Sequence, residues 1–317
     1  MNTRHALTLA AEAAGHAPSI HNTQPWRWVV HDDALELHAE RDRQLHELDP
    51  DGNMLLVSCG AALHHARVAL SAEGWDYEVD RPAGDPLAVI RPTGRRQIDA
   101  EAMRHFQAIL VRHTDRRIVT TEPVDPAAVE ATVAAARRAG VELHVVPPEE
   151  RVELAVAVER AEATEATDPS QRAETAHWVG GRRDEGTGIP DAVIPDQPPQ
   201  TMVATRDFGR AGTLPAGSGH DSTAVYAILY GTGDQPVDWL RAGEGLSAAW
   251  LAATERGLTL LPFSAPTEVE ATRQLLRRML SGVGQPYLTL RLGATDPDHA
   301  GPPHTPRLPV EQVVEED

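Results

Sequence analysis

The amino-acid sequence predicts an α+β fold of two related halves, and three observations carry that expectation. Both helical and strand periodicities occur along the chain, the latter including a hairpin after Pro25. Aromatic residues are only 4% of a chain that is 41% hydrophobic, so the core must rest on Ala, Val and Leu, which favours helices over a β-sandwich. Finally, Gly60-Ala61-Ala62-Leu63 running to Gly74 and Gly243-Glu244-Gly245-Leu246 running to Gly257 share one glycine spacing, with a small-residue helix between the glycines and a strand after them. The repeat predicts halves joined near 95–110, which we divide as 1–98 and 99–317.

Ala and Leu recur at helical spacing over 3–15 and stop at Gly15. Pro18 and Pro25 then interrupt the chain, and the stretches Trp26-Arg27-Trp28-Val29-Val30 and Ala34-Leu35-Glu36-Leu37-His38 form a hairpin of strands. From 51 to 73, Leu55, Leu56, Cys59, Ala62, Leu63, Ala66 and Leu70 share one helix face, with Gly74 as the stop and a strand over 75–79. Helices follow over 99–112 and 126–139, the second ended by Gly140 before a strand over 141–146. Residues 147–177, dominated by Ala, Glu and Arg, read as helix, whereas 180–220, rich in Gly, Pro and Asp, read as an extended loop: a lid, or a surface segment without a role. A strand over 224–230, a helix over 238–256, a strand from Leu258 to Leu261, a helix over 267–280 and a strand over 287–292 complete the chain.

A formal net charge of −18 at pH 7 repels nucleic-acid backbones and anionic lipid, so neither nucleic acid nor a membrane is an expected partner. The single cysteine, Cys59, excludes an internal disulfide and a cysteine zinc site, and fits a reducing cytoplasm. No metal site is expected. The segment after Met1 lacks a long apolar run, so no signal peptide or membrane span is expected there.

Against this acidic background, Arg112-His113-Thr114-Asp115-Arg116-Arg117 stands out. Three guanidiniums, an imidazole and a hydroxyl suit a dianionic phosphate, because arginine offers forked donors to its oxygens. A solvated charge run at a helix C-terminus, favoured by the dipole, accounts for the same residues. The segment Pro18-Ser19-Ile20-His21-Asn22-Thr23-Gln24-Pro25-Trp26 packs hydroxyl, amide and indole groups into a proline-stiffened loop. Such a loop can read the polar edge of a flat heterocycle, or it is a helix-to-strand turn with an Asn or Ser cap. Three other signals carry less. Gly243-Glu244-Gly245-Leu246-Ser247-Ala248 matches a dinucleotide fingerprint but follows no convincing strand, and reads as helix packing. His64 and His65 are helix neighbours that point apart. His220-Asp221-Ser222 lacks a nucleophile elbow and reads as a turn or cap.

The Pro18 to Trp26 segment resembles the Pro-Ser-x-x-Asn-x-Gln-Pro-Trp signature of the nitroreductase superfamily, and Arg112-His113-Thr114-Asp115-Arg116 resembles its Arg-His-Ser-x-Lys/Arg phosphate motif. Leu261-Pro262-Phe263-Ser264-Ala265 is similar to the loop beside the reactive flavin nitrogen, and Pro306-Arg307-Leu308-Pro309 to a C-terminal arginine that reaches the phosphate. The family places its phosphate motif first and shares each flavin across a dimer interface. Here the order is reversed, and Arg4-His5-Ala6 lacks the hydroxyl and lies too close to the loop to replace that motif. A fusion in which each half kept one side of a shared site leaves this pattern, and the chain is similar to the fused actinobacterial NAD(P)H nitroreductases.

The resemblance implies a nitroreductase-like fold of two related lobes fused in one chain, each a mostly antiparallel sheet flanked by helices, and one FMN per chain. Arg112, His113, Thr114, Arg116 and Arg307 would hold the phosphate, and Pro18, Ser19, Ile20 and Asn22 would line the ring system. Phe263 and Ser264 would present backbone at the reactive edge, with Ala265 where the family often has glycine. It further implies hydride transfer from NAD(P)H to the flavin and on to a quinone or nitroaromatic, with no catalytic side chain required. The alternative is an FMN store, covered by a lid over 180–220, with little turnover. A monomeric pseudo-dimer and a homodimer both remain compatible with the fusion.

Overall fold

The computed structural model describes residues 2–217, 220–294 and 301–317. The Asn2 side chain caps the first helix, α1 (Thr3–Ala14), by accepting from the His5 N–H. A hairpin of β1 (Trp26–Val30) and β2 (Leu35–Ala39), the helix α2 (Asn53–Ala72), β3 (Trp75–Asp80) and β4 (Ala88–Arg95) follow. α3 (Ala100–Val111) leads into a second series: α4 (Pro126–Arg138), β5 (Glu142–Val145), α5 (Arg151–Thr167), α6 (Pro169–Trp178), β6 (Val225–Gly231), α7 (Pro236–Thr254), β7 (Leu258–Phe263), α8 (Ala265–Glu268), α9 (Glu270–Met279) and β8 (Gln285–Ala294). The short β9 (Val314–Glu316) ends it.

The two sheets repeat one topology. The first runs β3-β4-β2-β1-β9 and the second β7-β8-β6-β5, so the strands before and after the central helix occupy matching places in both. All named pairings are antiparallel except β9 against β1. That pairing returns the chain's end to the sheet of the first half, a departure from a simple division at 98/99. β4 and β9 are absent from the sequence expectation for identifiable reasons. β4 contains Pro92 and Gly94, which argue against a strand, and the structure accommodates them beside a register shift at Asp76/Tyr77. β9 is three residues long and is held partly by the Arg27–Glu315 ion pair. The helix expected over 267–280 is two pieces, broken at Val269.

α2 and α7 cross in the centre of the molecule, and the repeat explains how closely. A Cβ on Gly60 would lie 1.9 Å from the Leu240 carbonyl oxygen, and one on Gly243 would lie 2.0 Å from the Val57 carbonyl oxygen. Gly60 matches Gly243 in the repeat, and Val57 matches Leu240, so the contact is reciprocal, as at a two-fold interface. His64 and Ser247, another matched pair, join across the same crossing at 2.8 Å. Glu244 of α7 is buried between Arg67 of α2 and Arg81, which clamps it with both forks. By length and composition α2 could cross a membrane, with mean hydropathy 1.2, but 83% of that window is buried inside the fold. It is a core helix.

Gly243 and Gly245 therefore serve packing, the latter against Val141. One hydrophobic core spans both sheets and both central helices, with Trp26, Trp28, Trp239 and Trp250 among its largest members. A second cluster lies on the other face of the second sheet, where Leu154 and Val158 of α5 meet Tyr226, Leu261 and Phe263. Between these layers a cavity opens. A methyl placed at the crossing must push backbone aside, so Gly60→Ala is expected to cost about 3 kcal/mol in urea denaturation, at the upper end for overpacking. Gly94→Ala, with open space around its Cβ, is the control and should change stability by less than about 1 kcal/mol.

Candidate functional site

The cavity has a volume of about 950 Å³, within the range of small-molecule sites. A smaller one of about 40 Å³ adjoins it, and the two share Pro18, Ser19, Thr114, Arg116 and Ile189 in their walls. Every residue that the resemblance assigned to FMN lines one or both. Ile20, Phe263 and Ser264 face the large cavity; Asn22, Arg112, His113 and Arg307 face the small one. The two halves contribute different sides, since 18–22 follow α1 while 112–116 follow α3 and Phe263-Ser264 end β7.

The small cavity is strongly electropositive. Arg112, at the end of α3, is only 4% exposed, which rules out a solvated charge run there. Its guanidinium stacks over the Trp250 ring at 4.5 Å and donates to the His16 carbonyl at 3.2 Å. Arg307 donates to the same carbonyl at 3.2 Å, and also to Thr305 and Asn22. Arg116 lies over Phe208. None of the three has a carboxylate partner among the described residues, and the Nε atoms of Arg112 and Arg307 are buried without an acceptor. Burial pulls their pKa values down to about 9 for Arg112 and about 10 for Arg116 and Arg307, with the Arg307 charge adding to the effect at Arg112. Three converging, desolvated cations call for a multiply charged anion.

Imidazoles surround this cluster. Burial, reinforced by the neighbouring arginines, holds His16, His65 and His304 below the usual histidine range, and burial does the same at His113. These neutral rings can share hydrogen bonds without adding positive charge. Sequence reasoning missed His16 and His304, which carry no motif, and weighed His65 only as a metal ligand; all three meet the arginines only through folding.

The Pro18 to Trp26 loop is a clasp as well as a wall. His21, Asn22 and Gln24 all have positive φ, a strained run for residues with side chains. The Asn22 amide donates to the Gly188 and Pro306 carbonyls, and its oxygen accepts from Arg307. Gln24 donates to the Gly186 carbonyl at 2.7 Å and accepts from the Leu308 N–H at 3.0 Å. Ser19 Oγ accepts from the Gln24 N–H. The amides thus tie the loop to two distant segments, and contact with a ligand falls to Pro18, Ser19 and Ile20. His21 lines the large cavity. Arg206 can only donate to its Nε2, at 3.1 Å, so the neutral ring carries its proton on Nδ1, which is buried without a partner.

Two buried networks hold the walls. Arg291 of β8 pairs with Asp221 at 2.6 Å and donates to the Asp115 and Arg117 carbonyls, fixing the arginine-rich turn. Asp221 also accepts from the Val119 N–H, and its carbonyl accepts from the Ala224 N–H at 3.0 Å, so it opens the expected turn and is a buried counter-ion as well. On the loop over 180–220, Arg206 binds Glu268 at 2.6 Å and Glu165 at 3.2 Å, with Glu162 nearby. Burial, with Glu268 beside it, keeps a proton on Glu165 well above the usual carboxylate range. Among the described residues no cluster of three or more His, Cys, Asp or Glu could hold a metal ion.

No family model matches the chain. It is 38% identical over 327 residues, 98% of this chain and 90% of the relative, to a Mycobacterium tuberculosis H37Rv protein named "Putative NAD(P)H nitroreductase Rv3131". It is 33% identical over 324 residues, 99% and 96% of the two chains, to "Putative NAD(P)H nitroreductase acg" of the same strain. Among solved structures, the FMN and NADPH-dependent nitroreductase NfnB of a sphigopyxis strain is 18% identical with a TM-score of 0.41, covering 67% of this chain and 97% of that one. A Bacteroides fragilis nitroreductase with bound FMN is 14% identical with a TM-score of 0.38, covering 61% and 88%.

Removing Arg291 leaves Asp221 buried and unpaired, so Arg291→Met is expected to cost about 3–5 kcal/mol of stability, read by urea denaturation. The carboxyl pair predicts a pH slope. Its contribution is complete below the ordinary value of 4.5, then declines as pH rises, because the unfolded chain releases a proton that the fold retains. Glu165→Gln should flatten that decline, and an unchanged slope in the variant would show that the pair holds no extra proton.

Proposed function

The chain belongs to the nitroreductase superfamily, and we propose that it is an FMN-dependent oxidoreductase that passes reducing equivalents from NAD(P)H to a small acceptor such as a nitroaromatic or quinone. The observation that carries this reading is the buried arginine cluster: three guanidiniums without a carboxylate, opening onto a cavity large enough for a flat cofactor and a second reactant. The orphaned Nε donors of Arg112 and Arg307 fit a phosphate monoester. Arg112, Arg116 and Arg307 hold it, with Thr114 and His113 beside them. Pro18, Ser19 and Ile20 would frame the ring system from the first half, with Asn22 bracing the loop beside the phosphate cluster, and the Phe263-Ser264 backbone would face the other side of the cavity. FMN, when bound, supplies the hydride chemistry. The chain supplies position, a positive field and exclusion of water.

In this reading the halves 1–98 and 99–317 are two nitroreductase-like lobes that build one site per chain, as a cytoplasmic monomeric pseudo-dimer or a homodimer of such chains. The matching strand orders and the reciprocal glycine contact support it. A second reading, FMN stored behind a lid with little turnover, is favoured by one feature. Arg206 straps the loop over 180–220 to α5 and α8 across the cavity wall.

The purified protein is expected to be yellow, with about one FMN per chain, and to bleach anaerobically on adding NADPH or NADH. Bound flavin that stays oxidised identifies the store, and a colourless protein that refuses FMN overturns both. Each charged hydrogen bond to phosphate contributes about 1.5–3 kcal/mol, so Arg112→Ala with Arg116→Ala should weaken FMN binding by roughly 10²–10⁴-fold.

A further inference from the structure

The wall of the large cavity carries polar groups that the FMN assignment leaves unused. Four arginines line it: Arg116, Arg151, Arg206 and Arg210. Arg206 is neutralised by Glu165 and Glu268, Arg210 by Asp191, and Arg116 belongs to the phosphate cluster. Arg151 has no ion pair among the described residues, and its Nε is buried without an acceptor. Tyr226 lines the same cavity, is 2% exposed, and its hydroxyl is likewise buried without a partner.

The fold brings the two together. Arg151, Leu154 and Val158 lie on one face of α5, and Leu154 and Val158 pack with Tyr226 in the second hydrophobic cluster. Arg151 therefore sits one turn from residues that share a hydrophobic cluster with Tyr226, both residues line the large cavity, and neither lines the small cavity of the phosphate cluster. Asp221, the carboxylate nearest in sequence to Tyr226, is held by Arg291 and does not compensate Arg151. An unneutralised forked cation beside a dry hydroxyl donor is satisfied by one kind of group: an oxygen acceptor carrying negative charge.

We propose that Arg151 and Tyr226 form a second anion subsite in the cavity, which takes a carboxylate or phosphate of the reactant that meets the cofactor. The proposal rests on the oxidoreductase reading for the identity of that reactant. Two sources share the chemistry: an aromatic acceptor bearing a carboxylate, and a phosphate of the nicotinamide dinucleotide. Arg151 donates from its guanidinium, Tyr226 from its hydroxyl, and His21 Nδ1–H stands elsewhere on the same wall as a neutral donor.

Calorimetric titration of the full chain with 4-nitrobenzoate, neutral 4-nitrobenzyl alcohol and NADPH tests this, in the parent, Arg151→Met and Tyr226→Phe. The parent should bind at least one of the anionic probes, with nitrobenzoate preferred over its alcohol by about tenfold if the acceptor is the source. Each variant should lose roughly tenfold affinity for that anion while keeping its circular dichroism, flavin content and affinity for the alcohol. A loss confined to NADPH identifies the dinucleotide phosphate as the source; one confined to nitrobenzoate identifies an acidic acceptor. Unchanged affinities for both anions in both variants overturn the subsite. Binding is read whether or not the protein holds flavin, so a colourless protein would sink the oxidoreductase reading separately.

Discussion

Gly60 and Gly243 let α2 and α7 cross at backbone contact, and the rest of the molecule is arranged around that crossing. Because each glycine meets the partner helix at the matching position, the two sheets take up equivalent places on either side of the pair. α3 packs against both central helices and ends at Arg112, so the crossing also determines where the arginine-rich turn emerges. Trp250, one face of α7, supplies the ring beneath the Arg112 guanidinium. A side chain at either glycine would separate the helices and move these groups together.

The electrostatics follow from this arrangement. A protein with a net charge of −18 gathers three arginines where no described carboxylate reaches them, at a desolvation cost that their depressed pKa values register. Elsewhere the same fold neutralises its buried cations with care: Arg206 by Glu165 and Glu268, Arg291 by Asp221, Arg67 and Arg81 by Glu244. The contrast sets the cluster and Arg151 apart from these paired cations, and it is what motivates reading them as anion sites.

Most elements were legible in the sequence because their signals are local. Helical spacing marked α1, α2, α3, α4 and α7, and alternation marked the β1–β2 hairpin. β4 was hidden by its own Pro92 and Gly94, and β9 by its brevity; both are strands only because a neighbour offers them a ladder. The motif residues were legible too, but not what their side chains do. Asn22 and Gln24 bind Gly186, Gly188, Pro306 and Leu308, partners that lie more than half the chain away.

The sequence by itself determined the α+β class, the internal repeat, the acidic surface and the motif residues, since composition, periodicity and short spacings record these directly. Only the tertiary structure decided which cations are left without counter-ions, which histidines surround them, how Arg206 straps the loop, and that Arg151 and Tyr226 line one cavity. Burial and charge pairing are properties of neighbours in space, and here those neighbours come from both halves of the chain.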